Sequence, residues 1–150
     1  MSKPLVGVIC SSKTTESRFA TQFTGEKNLR AVCDVAQAMP IMFAGLPDVT
    51  DIGTLLSVVD GVLLTGARAN VHPTFFNVKP NEKHEPYDTD RDHVALELTR
   101  ACVEMGKPVL IENLDNAIDA SIAPIYGRQI IKRGRTSIIK MGDKELTLDP

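Results

Sequence analysis

Gly106-Lys107-Pro108-Val109-Leu110-Ile111-Glu112-Asn113-Leu114-Asp115 is the stretch on which the reading of this chain turns. Gly106 and Pro108 close a helix, because glycine accepts the left-handed turn that ends one and proline cannot continue it. Val109 to Leu114 then reads as a buried strand. A strand-to-helix turn follows. In an open α/β sheet, ligands and reacting groups gather just beyond the carboxyl end of such a strand. Here that place holds Glu112, Asn113 and Asp115, with no serine, cysteine or glycine. The turn occupies the position of a nucleophile and lacks one.

Upstream, strands and helices alternate. Leu5 to Cys10 is a short apolar run with β-branched residues, a buried strand, and Ser11 to Thr15 a polar loop after it. From Asn28 to Met39, apolar residues fall at helical spacing, with Asn28 as N-cap and Pro40 as the stop. Ile41 to Ala44 is a second strand. Asp51 to Val59 is a short helix with Ile52, Leu55, Leu56 and Val59 inward. Val62 to Thr65 is a third strand, and Asp88 to Met105 a longer helix with Val94, Leu98, Ala101, Cys102 and Met105 on one stripe. Val71 to Tyr87, polar and rich in Pro, His and Lys, reads as a surface loop of binding-lid length. This order predicts an α/β fold with a parallel sheet and helices on both faces.

Downstream the pattern changes. Asp119 to Tyr126 can form only a short helix, because Pro124 is disfavoured past its first turn. Thr136 to Lys140 and Lys144 to Leu148 flank Met141-Gly142-Asp143, a β-hairpin signal. Arg128, Lys132, Arg133 and Arg135 precede it as a basic cluster. The chain reaches Pro150 without a final helix, so a shortened sheet ending in a hairpin is expected.

At 150 residues, 43% apolar and 24% charged, the chain has the bulk of one soluble globular domain. A net charge of −2 gives no general reason to bind nucleic acid or a membrane surface. No apolar run approaches the ~20 residues that span a bilayer, and no signal peptide is apparent at the N-terminus. Cys10, Cys33 and Cys102 form no Cys-x-x-Cys, which fits a reducing cytoplasm.

Several stretches carry candidate chemistry. Gly7-Val8-Ile9-Cys10-Ser11-Ser12-Lys13-Thr14 is one glycine short of a phosphate-binding loop. Its first glycine lies inside a strand and Ser12 stands where the second is needed, so it reads as strand and polar loop. Gly66-Ala67-Arg68-Ala69-Asn70 follows the third strand, where backbone amides could hold an anion or oxyanion. Gly66, Ala67, Asn70, Glu112 and Asn113 are therefore the candidate ligand residues. Cys10 could present a thiolate at the sheet edge, although free cysteines are mostly small core residues. Cys33 and Cys102 lie on apolar helix faces. His72, His84 and His93, with nearby acids, match no zinc spacing. No metal and no cofactor are expected.

From Pro4 to Leu110 the chain resembles the class I glutamine-amidotransferase-like family, in its gamma-glutamyl-gamma-aminobutyrate hydrolase branch. The resemblance rests on Val6-Gly7-Val8, Leu46-Pro47, Asp60 to Gly66, Pro73, Tyr87-Asp88, Arg91-Asp92 and Gly106 to Leu110. It implies a flavodoxin-like parallel sheet and thiolate attack on a gamma-glutamyl amide, assisted by a His–Glu pair from the C-terminal half. Where the family continues Gly-Ile-Cys-Arg-Gly, this chain has Ile111-Glu112-Asn113-Leu114-Asp115, so Asn113 stands at the nucleophile position. The oxyanion loop, usually Gly-Gly, reads Gly66-Ala67, and the usual following Asp reads Asn70. No histidine follows His93. No catalytic residue is intact on this reading.

From Val109 onward the chain resembles a motor segment of axonemal-type dynein heavy chain. The matching runs are Val109 to Asp115, Gly127 to Arg135 and Ile139 to Glu145. Glu112 falls near the acidic position of a degenerate Walker B strand, with no phosphate loop to serve. The two resemblances meet on Gly-x-Pro-Val-Leu and imply a chimera, divided into residues 1–108 and 109–150. The expected function is an incomplete, inactive relative of a gamma-glutamyl amide hydrolase that keeps a pocket for a small amide or carboxylate. The alternative is a structural or interaction module without small-molecule chemistry. An active hydrolase using Cys10 is the third reading. A homo-oligomer through the C-terminal hairpin is expected, because too few residues follow to cover the Val62–Leu64 and Val109–Ile111 strands.

Overall fold

The computed structural model describes residues 2–112, 129–134, 136–141 and 144–148. In chain order the elements are β1 (Leu5–Ile9), β2 (Ser11–Thr14), β3 (Ala20–Phe23), α1 (Glu26–Asp34), β4 (Met39–Phe43), α2 (Ile52–Val58), β5 (Gly61–Leu64), α3 (Thr89–Glu104), β6 (Val109–Ile111), β7 (Ile130–Arg133), β8 (Thr136–Met141) and β9 (Lys144–Leu148). Strands β4, β1, β5 and β6 form one parallel sheet in that spatial order. Counting only its own strands, the sheet runs second, first, third, fourth, the flavodoxin-like order.

Alternation along the two central strands explains the layers. Ile9, Val62 and Leu64 point to one face, where they pack with Phe43, Leu56, Val59, Val94, Leu98 and Cys102. Val8 and Leu63 point to the other and meet Val32, Ala38 and Leu29. Helices α2 and α3 therefore cover one face and α1 covers the other. A strand covered on both faces reads as a continuous apolar run, the signal that Leu5 to Ile9 and Val62 to Leu64 carry.

Several boundaries differ from the sequence reading. Helix α1 begins after Gly25 and ends at Asp34, with Asn28 buried inside it rather than capping it. Gln37 then takes a positive φ of 53°. Met39 and Pro40 belong to β4, not to a helix end. A proline fits there because β4 is an end strand among the described residues. Ser11 to Thr14 is not a loop: it pairs antiparallel with β3, Ser11 opposite Phe23 and Thr14 opposite Ala20. Gln22 supports this hairpin, its Nε2 donating to Ser12 Oγ at 2.8 Å and its Oε1 accepting from Gly45 N at 2.8 Å. The Val71–Tyr87 stretch contains two short 3-10 turns, Pro73–Phe76 and Glu82–His84.

The hairpin at the C-terminal end is present, with Ile139 opposite Leu146, and β7 adds a third antiparallel strand beside β8. Ile138 and Ile139 are buried, and β9 lies against α3. The expectation that Val62 to Leu64 are poorly covered does not hold, since all three are buried by the helices on either side. On β6, by contrast, Leu110 is 63% exposed and Ile111 38%. The expected short helix at Asp119 to Tyr126, and Asn113, Leu114, Asp115, Arg128, Arg135 and the Gly142-Asp143 turn, lie outside the described residues. Among the described residues no helix is long and apolar enough to cross a membrane.

Candidate functional site

The carboxyl ends of β1, β5 and β6 converge on one edge of the sheet. β5 ends at Leu64, so Thr65, Gly66 and Ala67 leave it there. Glu112 follows β6 directly, and its backbone N–H continues the ladder to Leu64 O at 3.0 Å. That pairing brings its side chain to the β5 loop, where Oε2 accepts from Gly66 N–H at 3.4 Å. The amide proposed from sequence as an anion donor thus faces a carboxylate of the chain itself.

Helix α3 supplies the charged groups behind this edge. Asp88 caps it, Oδ1 accepting from Arg91 N at 3.2 Å, and reaches across to β2, where Oδ2 accepts from Ser12 N at 2.9 Å. One carboxylate therefore fixes both the helix start and the segment after β1. Arg91 is buried, and its Nη2 donates to the Thr65 backbone oxygen and to Thr65 Oγ1. It holds the residue just before Gly66 in place. Burial lowers the affinity of this guanidinium for its proton, while Asp88 and Asp92 oppose that effect. Gly45 is required beside it, since a Cβ there would stand 2.6 Å from Cys10 O and 3.2 Å from Arg91 Cβ.

Asp92 is also buried, and its Oδ2 accepts from His72 N at 2.8 Å. Burial raises its carboxyl above the usual range, partly opposed by the His72 hydrogen bond and the Arg91 charge. Cys10 is buried at the end of β1, and burial pushes its thiol up, with the Arg91 charge acting in the other direction. A reactive thiol needs exposure and a lowered pKa, and Cys10 has neither. Cys102 is wholly buried among core residues.

The candidate residues divide into two groups. Gly66 and Ala67 line a cleft of about 950 Å³ between the segments after β1 and β5. Glu112 meets Gly66 from the β6 side. Asn70 is turned away: its Nδ2 donates to His84 O at 2.6 Å and its backbone N–H to Pro86 O at 2.9 Å, so it pins the 71–87 segment. Asn113 lies outside the described residues. The three histidines are dispersed, His72 against Thr74 and Tyr87, His93 beside Glu97, and among the described residues no group of three or more His, Cys, Asp or Glu could hold a metal. Sequence reasoning counted Asp88, Arg91 and Asp92 among the residues that carry the resemblance and gave them no place among the site residues. Their signal was available in an N-capping aspartate followed by charged residues on a helix start, yet nothing in it told that two of these charges are buried.

The profile of the peptidase C26 family matches residues 4–111, and that of the ATP-binding dynein motor region matches residues 79–150. The two matches share residues 79–111. Curated proteins with similar sequence include the dynein beta chain of the flagellar outer arm from Chlamydomonas reinhardtii, 50% identical over 48 residues, or 32% of this chain and 1% of that one. Human dynein axonemal heavy chain 9 is 46% identical over 55 residues, 37% of this chain and 1% of the relative. The Chlamydomonas dynein gamma chain of the outer arm is 27% identical over 101 residues, 61% of this chain and 2% of the relative. This chain thus spans one or two hundredths of the length of these relatives.

Proposed function

The chain belongs to the peptidase C26 family, and from that premise we propose that it is a relative of the gamma-glutamyl amide hydrolases that has lost the reaction and keeps a pocket for a small amide or carboxylate. The observation that carries this reading is the contact between Glu112 Oε2 and Gly66 N–H. A hydrolase needs that loop's amides free to stabilise the oxyanion of a tetrahedral intermediate. Here the Glu112 carboxylate of the chain itself stands against one of them, and the next residue in the sequence, Asn113, stands where the family has a thiol. A carboxamide forms no acyl-enzyme. The same contact argues for binding, because an N–H that donates to Glu112 can donate instead to the carboxylate of a ligand.

The test is incubation with a gamma-glutamyl anilide. No release above background is expected, from the wild type or from Asn113→Cys, because the elbow glycines are also replaced, by Ile111 and Asp115. Release that vanishes in Cys10→Ala would overturn the reading. Retained binding is measured by amide chemical-shift changes on adding a gamma-glutamyl dipeptide. Shifts are expected at Gly66 and Ala67 and should grow in Glu112→Ala, which removes the competing charge.

A second reading is favoured by the match of residues 79–150 to the dynein motor region. In it, residues 109–150 act as a structural or interaction segment, and the division at 108/109 is part of this proposal. A cytoplasmic location suits both readings. Deleting residues 129–150 separates them: unchanged dipeptide-induced shifts at Gly66 leave the tail to interactions alone.

A further inference from the structure

We propose that the cleft between β1 and β5 binds a small polyanion, with a phosphate group as its anchor. The cleft lies where the order of the parallel sheet reverses, between the first strand and the third, the crevice in which open α/β sheets take ligands. Its volume of about 950 Å³ suits a ligand of metabolite size. Lys13 from β2, Lys27 from the first turn of α1 and Arg68 from the loop after β5 all line it. Three separate elements thus bring cations to one concavity in a chain whose net charge is −2.

Among the described residues none of the three is held in an ion pair. The ion pairs among the described residues are Arg30–Glu26, His93–Glu97 and Arg133–Glu145. The one acid among the described lining residues, Asp88, has each carboxylate oxygen engaged by a backbone amide, Ser12 N–H and Arg91 N–H. Its charge is committed to the fold.

Two further features point the same way. Helix α1 opens on this cleft through Gly25, Lys27 and Asn28, and no side chain caps its N-terminus. Uncapped N–H groups with the positive end of the helix dipole favour an anion. Glu26, the acid in that first turn, is paired with Arg30 and does not line the cleft. Thr24, also in the lining, has a buried hydroxyl with no hydrogen-bond partner. A single carboxylate leaves most of these donors unmatched, whereas a phosphate carries two charges and at least three acceptor oxygens. The mode differs from a phosphate loop, since Ser11 to Thr14 is paired as a strand and offers a side chain rather than a ring of amides. Lys13, Thr24, the start of α1 and Arg68 all precede residue 79, outside the dynein-like stretch.

Inorganic pyrophosphate is the probe, titrated into the full chain at constant ionic strength and followed by amide chemical shifts. Saturable shifts are expected at Gly25, Lys27 and Arg68. Lys27→Ala and Arg68→Ala should each weaken binding about tenfold, the loss of one charge-assisted contact, and the double variant about a hundredfold. Both side chains are exposed, so the spectrum of each free variant should keep its dispersion. Glutarate under the same conditions is expected to bind at least tenfold more weakly. Equal or tighter glutarate binding, or a pyrophosphate affinity unchanged in the double variant, overturns the proposal. The readout is independent of turnover, so it stands apart from the hydrolase assay.

Discussion

At the scale of single residues, buried charge decides more than the sequence could show. Asp92 and Arg91 read as part of a polar helix start, yet both side chains are buried, one under His72 N–H and the other against Thr65. The raised carboxyl of Asp92 has a measurable consequence. An acid whose pKa is higher in the folded chain keeps its proton there over a range in which the unfolded chain has released it. The stability so gained is complete below the ordinary value of 3.8 and is lost as pH rises through the folded value. Urea unfolding of wild type and Asp92→Asn from acid to neutral pH should show the wild type losing stability relative to the variant as pH climbs through that window. A constant difference would remove the titration from Asp92. Cys10 gives a second check. With its thiol buried and pushed up, it should react with a disulfide reagent at pH 7 more slowly than Cys33, which is only half-buried. Mass mapping after partial labelling decides the order, and Cys10 labelled first would return it to the candidate nucleophiles. The Gly66 and Ala67 positions were legible because a glycine after an apolar strand marks the sheet edge. Glu112 was named beside them as a candidate ligand residue, but its contact with Gly66 N–H was not legible, because it depends on the pairing of β6 with β5.

At the scale of elements, Asp88 ties two of them together. It caps α3 through Arg91 N–H and holds β2 through Ser12 N–H. Asp88→Ala removes both contacts, and loss of an N-cap alone costs about 0.5–2 kcal/mol. The expected cost is about 2 kcal/mol, near the top of that range because β2 loses its anchor as well. Chemical denaturation measures it, and Asp88→Asn should recover part of the loss. An alanine variant within a few tenths of the wild type would show that the Ser12 contact contributes nothing. Strands β1 and β5 and helices α2 and α3 were readable because their apolar spacing is unambiguous, and Asp51 caps α2 as its sequence position predicts, accepting from Thr54 N. The β2–β3 hairpin was not readable. Ser11-Ser12-Lys13-Thr14 and Ala20-Thr21-Gln22-Phe23 carry no alternation, and their pairing rests on backbone hydrogen bonds and Gln22. The end of α1 was misplaced because Val35 and Ala36 continue its apolar period, although Val35 is exposed.

At the scale of the molecule, the residues shared by the two family matches are 79–111, which contain α3 and β6. That strand belongs to the parallel sheet and that helix packs against it, so both matches share a part of the same α/β unit. α3 is the element on which both parts rest, with α2 and β6 on one hand and β9 on the other. The three-stranded sheet buries Ile138 and Ile139 but leaves Ile130 and Ile131 of β7 exposed, and β6 leaves Leu110 and Ile111 exposed. β6 and β7 are each end strands of their sheets among the described residues. An end strand presents unpaired N–H and C=O groups, and apolar side chains beside them favour pairing with a second copy. Lys132 and Arg133 on β7 oppose indiscriminate stacking, so a closed dimer is expected rather than a growing aggregate. Light scattering after size exclusion should give twice the chain mass, falling to the monomer when Leu110→Glu and Ile131→Lys are combined. Charge placed at Ile138 instead should unfold the hairpin, because that side chain faces inward. A wild type that stays monomeric at high concentration would show that these four aliphatic residues tolerate water and that neither end strand is a contact between copies.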